Sequence, residues 1–84
     1  MSKDSPAEIP RAEVCAARVA MLTGVQRSTL LMFVHGLTRD EIAGRVCRDV
    51  STVDVALLRA RRTLRARNSI HAAAIATVGG LLAS

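Results

Sequence analysis

Residues 36–53 read G-L-T-R-D-E-I-A-G-R-V-C-R-D-V-S-T-V. They form two short helical patterns joined by a tight turn, which is the spacing of a helix-turn-helix. In that motif the second helix is the one shaped to enter a DNA major groove. The reading gains support from capping signals on either side. Thr23 is followed three residues later by Gln26, Thr38 by Glu41, and Ser51 by Asp54. In each pair the hydroxyl can accept from the N3 amide while the longer side chain returns to the cap's own N–H. These starts predict helices over about 24–35, 39–47 and 52–66, with Gly36 as the stop of the first.

Outward from this core, Pro10 suits the first turn of an additional helix to about Met21. Residues 1–9 read as a flexible polar arm containing Pro6, and residues 10–84 as one helical domain. Within that domain the helix-turn-helix covers about 38–66, and a last helix capped by Asn68 or Ser69 covers about 69–82. Ala72, Ala76 and Gly80 recur along the last helix at four-residue intervals. Such a ridge of small residues lets another helix approach closely, either within the core or across a homodimer seam. The seam reading uses Ala72, Ala73, Ile75 and Ala76, followed by Val78, Gly79, Gly80 and Leu82.

Composition narrows the fold class to all-α. The chain has 84 residues, half of them apolar, and Phe33 is its only aromatic. A core built from Ala, Val, Leu, Ile and Met suits closely packed helices, and a chain this short supports one core. Charge is unevenly distributed. Up to Gly44, five basic side chains balance five acidic ones; from Arg45 to Asn68, seven arginines face only Asp49 and Asp54. All of the excess charge of +5 therefore lies from the second half of the motif onward, where phosphate contacts would be needed. The plainer alternative is a solvated arginine-rich helix face.

On a helical wheel, Val53, Leu57, Ala60 and Leu64 form the buried stripe of the third of these helices. Thr52, Val55, Leu58, Arg59, Arg62 and Arg65 lie opposite. Thr52 suits a phosphate, Val55 and Leu58 suit thymine methyls, and the arginines of this helix suit phosphates or a guanine edge, with Arg39 a further DNA-binding candidate. Asp54 is repelled by phosphate unless it accepts from cytosine N4, so the cap with Ser51 is its favoured role.

From Leu22 to Leu82 the sequence resembles the LuxR-type DNA-binding domain of bacterial transcription regulators. The resemblance rests on Leu22-Thr23, Leu30, Gly36-Leu37-Thr38, Glu41-Ile42-Ala43, Val46, Thr52-Val53, Leu64, Arg67-Asn68, Ala72 and Gly80-Leu81-Leu82. It implies four helices, the third in the major groove and the fourth often dimerising. It also implies a phosphate contact for Thr52 and base-reading positions for Asp54, Val55 and Leu58. The family commonly has a basic or amide residue at Asp54, often His at Ala56 and often a basic residue at Leu58. In the turn, Cys47-Arg48-Asp49 replaces the usual small-apolar-Ser pattern and leaves Val50 to supply the buried turn residue. A second resemblance, to region 4 of sigma factors, rests on Arg27, Gly36, Glu41-Ile42-Ala43, Thr52-Val53 and the run from Leu57 to Arg65. It ranks second because the tail after Asn68 is more LuxR-like.

The leading expectation is a stand-alone cytoplasmic regulator that binds double-stranded DNA as a homodimer. The rival is a binding module that docks on a transcription factor, sigma factor or RNA polymerase subunit through Val55 and Leu58 without reading DNA. Neither needs catalysis, a metal or a cofactor. His35 and His71 lack partners at catalytic spacing, and Cys15 and Cys47 read as two buried thiols outside any metal-binding pattern. No signal peptide is evident, and no apolar run reaches the roughly 18 residues of a membrane span.

Overall fold

A computed structural model describes residues 8–83, and the described residues are all-helical. Five α-helices follow one another: α1 Ala12–Ala20, α2 Gly24–Val34, α3 Arg39–Val46, α4 Val50–Thr63 and α5 Ser69–Val78. A 3-10 turn over Leu81–Ala83 follows them. Residues 1–7 of the expected arm lie outside the described residues. Its last two, Glu8 and Ile9, precede α1 and are exposed.

Two of the three expected capping boxes form. Thr23 accepts from the Gln26 amide at 3.2 Å, and its own N–H donates to Gln26 Oε1 at 3.3 Å. Thr38 and Glu41 do the same at 3.2 and 2.8 Å. The Ser51–Asp54 box does not form. The chain leaves α3 through Cys47 in the left-handed region (φ 55°) and turns back through an extended Asp49. Asp49 is therefore the residue whose carbonyl accepts from Thr52 and Val53, and α4 starts at Val50, earlier than the sequence indicates.

Helix ends follow from local chemistry. After α2, Gly36 takes φ 92°, letting Leu37 and Gly36 donate back to the Met32 and Phe33 carbonyls. After α4, Arg65 takes φ 56° in the same role, and Ala66 and Arg65 donate to Arg61 and Arg62. The helix accordingly stops at Thr63, short of Ala66. Two arginines reinforce helix ends from outside. Arg18 donates to the Leu64 carbonyl at 3.1 Å and Arg27 to the Val19 carbonyl at 3.2 Å, placing cations at the negative ends of α4 and α1.

One cluster joins the five helices, with Val19, Leu30, Ile42, Val53, Leu64 and Ile75 among its buried members. Helix α4 lies across α2, α3 and α5, while α1 covers α5. The expected stripe of Val53, Leu57, Ala60 and Leu64 is buried, Ala56 joins it, and Val50 packs half-buried against the cluster. Cys15 is buried, but Cys47 is exposed because it occupies the turn rather than the core.

The small-residue ridge is used inside the chain. Ala72, Ile75 and Ala76 are at most 1% exposed, and Gly79 meets α1 at the Cys15 carbonyl. Ala72, Ile75 and Ala76 cannot line a homodimer seam while α1 is docked, and half-buried Gly79 turns its Cβ position toward α1. Ala73 and Gly80 are half-buried, whereas Val78 and Leu82 remain exposed, beside Ile70 at the other end of α5. The α-helix ends at Val78, not near Leu82. Gly80 turns the chain at φ 86° so that Leu81 enters the core.

Candidate nucleic-acid interface

Helix α4 follows α3 through the turn and packs against α2, α3 and α5. Burial of Val53, Ala56, Leu57 and Ala60 sets its rotation, and so decides which side chains face solvent. Thr52, Val55, Arg59 and Arg62 follow at spacings of three, four and three, forming one exposed stripe. Arg59 and Arg62 make no ion pair with any described residue. Leu58, expected to face outward, is half-buried, and Arg65 lies beyond the helix in the turn that ends it.

The upper part of the stripe borders α2. A groove of about 310 Å³ is lined by Thr23, Val25 and Gln26 on one side and Thr52, Val55, Ala56 and Arg59 on the other. A neighbouring groove of about 220 Å³ lies between the start of α2 and Val46 and Arg48 at the end of the first helix of the motif. Val25 lines both grooves, and Arg59 and Arg48 bring a positive charge to each. Val25 and Gln26 were legible in sequence only as the first turn of a helix, because their proximity to α4 is a tertiary fact.

Two carboxylates of the region have hydrogen-bond partners three residues away in sequence. The Thr52 hydroxyl donates to Asp49 Oδ1 at 2.5 Å, and that bond holds the Asp49 carboxyl below its ordinary range. The hydroxyl proton of Thr52 is thus already committed, so a phosphate contact through that proton requires it to leave Asp49. Glu41 is also held below its ordinary range, first by the Thr38 N–H and then by the Thr38 hydroxyl contact, with Arg45 adding a smaller effect.

Asp54 is paired across the motif. Arg39, the first residue of α3, places Nε 2.7 Å from Asp54 Oδ1, with side-chain exposures of 59% and 46%. This replaces the cap expected with Ser51. It also shows that Arg39 is not a free cation on this face. A pair this exposed contributes about 0.2–1 kcal/mol to stability. Its larger effect is local, because it pairs the one carboxylate within α4. The partners lie fifteen positions apart in sequence, and no periodicity within either helix signals the contact.

Among the described residues, no group of three or more His, Cys, Asp or Glu side chains is placed to hold a metal ion, and no helix is long and apolar enough to cross a membrane. Comparison with known families matches residues 16–64 to the family described as Sigma-70, region 4. That span runs from α1 through the end of α4 and takes in the whole helix-turn-helix. It reverses the order of the two resemblances drawn from sequence, since the sigma-like middle of the chain is the part matched. No curated protein and no solved structure matches the chain. With more than half of its residues inside the match, and the matched residues folded as a helix-turn-helix, the chain belongs to the sigma-70 region 4 family of helix-turn-helix DNA-binding domains.

Proposed function

We propose that this protein is a transcription regulator that binds duplex DNA with α4 in the major groove, acting by binding and not by catalysis. The observation that carries the reading is the exposed stripe Thr52, Val55, Arg59 and Arg62 on the second helix of the helix-turn-helix, where neither arginine is ion-paired with a described residue. Arg59 and Arg62 supply phosphate contacts, and Val55 offers an apolar surface for a thymine methyl. Such a protein works in the cytoplasm, where bacterial DNA is accessible. Binding as a homodimer fits the uncharged C-terminal part of the chain, where Ile70 and Val78 of α5 and Leu82 of the 3-10 turn are exposed. That helix lies outside the matched residues.

A second reading is favoured by the apolar surface beside α4. Val25 and Val55, which line the same groove, are 55% and 45% exposed, which suits a transcription factor or polymerase subunit docking on this side.

Titration of duplex DNA at several salt concentrations separates the readings. Duplex binding at about 50 mM salt that weakens steeply as salt rises is the expected result. Arg59→Ala and Arg62→Ala should each weaken binding on every sequence and lower the salt slope by about one. A folded wild-type protein that fails to bind duplex at low salt excludes the DNA reading. Recovery of a polymerase subunit by that same protein then supports docking.

A further inference from the structure

We propose that Asp54, held by Arg39, is the base-discriminating group of α4 and that it reads cytosine. The inference rests on duplex binding through α4. An ionised carboxylate only accepts hydrogen bonds, and it does so at both oxygens. Arg39 Nε lies 2.7 Å from Oδ1 and the Asp54 side chain is 46% exposed, so a carboxylate with two accepting oxygens keeps capacity for a second donor. The same contact removes the usual obstacle to a carboxylate in a major groove, its repulsion by phosphate, because a guanidinium moves in with it. Arg39 uses Nε for Asp54, so its two terminal nitrogens keep donors for a phosphate oxygen. One side chain can then anchor the backbone while aligning its partner toward the bases.

The chemistry of the base edges selects the target. In the major groove only cytosine N4 and adenine N6 donate. Adenine places its N7 acceptor next to N6, against the second carboxylate oxygen, whereas cytosine has no such acceptor on its own edge. A carboxylate therefore favours cytosine.

Selection from a random-sequence duplex library, followed by sequencing, tests the assignment in wild type, Asp54→Ala, Asp54→Asn and Arg39→Ala, each checked for helicity by circular dichroism. Wild type should select C·G at one fixed position by about tenfold or more over other pairs. Asp54→Ala should lose preference at that position alone while binding at least as tightly overall. Asp54→Asn should move the preference there to A·T, since an amide pairs with adenine N6 and N7. Arg39→Ala should weaken binding to all sequences and blur the same position. Wild-type binding with an unchanged selected sequence in both Asp54 variants overturns the inference and leaves duplex binding standing. Recovery of no duplex by wild type overturns duplex binding first and the inference with it.

Discussion

Gly79 marks the closest approach of α1 and α5. A Cβ there would lie 2.7 Å from the Cys15 carbonyl oxygen and 2.7 Å from Val19 Cγ2, closer than packed atoms tolerate, and the oxygen belongs to helix backbone that cannot swing aside. Gly79→Ala should therefore destabilise the protein by about 1–3 kcal/mol, read as a lowered urea midpoint with an unchanged slope. Sequence showed glycine at this position but not the reason for it, since the Gly79–Gly80 pair reads equally well as a simple helix stop. At this scale the sequence is most informative where a residue's partner is three or four positions away. Thr23, Thr38 and Asn68 cap the helices they were expected to cap. Asp54 does not, because its partner Arg39 comes from another helix.

Among the elements, α3 depends on its cap more than α4 does. Thr38 exchanges two hydrogen bonds with Glu41, whereas Ser51 is already inside α4. Thr38→Ala should cost about 1 kcal/mol, and Ser51→Ala should stay within about 0.5 kcal/mol; parallel urea melts give both values. The capping bonds also impose an acid limit. The carboxyls of Glu41 and Asp49 are held below their ordinary range in the folded state. Their contribution is present above the unfolded-state carboxyl range and is lost as pH falls through the lowered folded values. Stability measured by urea should fall as pH drops below about 4, and Glu41→Gln should flatten that fall. An unaltered pH profile in Glu41→Gln would show that its cap contributes nothing to acid sensitivity. Helix existence and order were legible from periodicity and caps. The start of α4 was not, because a left-handed Cys47 followed by an extended Asp49 moved the cap upstream.

In the whole molecule, α1 covers the small-residue side of α5 and leaves its other side outward, which separates two substitutions that the sequence alone would treat alike. Ala76 is fully buried, so Ala76→Glu should destabilise by roughly 3–5 kcal/mol through an unpaired buried charge. Val78 is 45% exposed, so Val78→Glu should fold normally. If the outer face of α5 joins two copies, sedimentation should give a dimer for wild type and half that mass for Val78→Glu; equal masses would remove α5 from the interface. The sequence by itself determined the helical class, the helix-turn-helix and the rotation of α4, because these depend on local capping and on a repeat of 3.6 residues. It also located the basic second half of the motif. Only the tertiary structure decided that Arg18 and Arg27 secure helix ends, that α1 occupies the ridge of α5 and that Arg39 neutralises Asp54. Each of those contacts joins residues from different elements, where distance along the chain carries no information about distance in space.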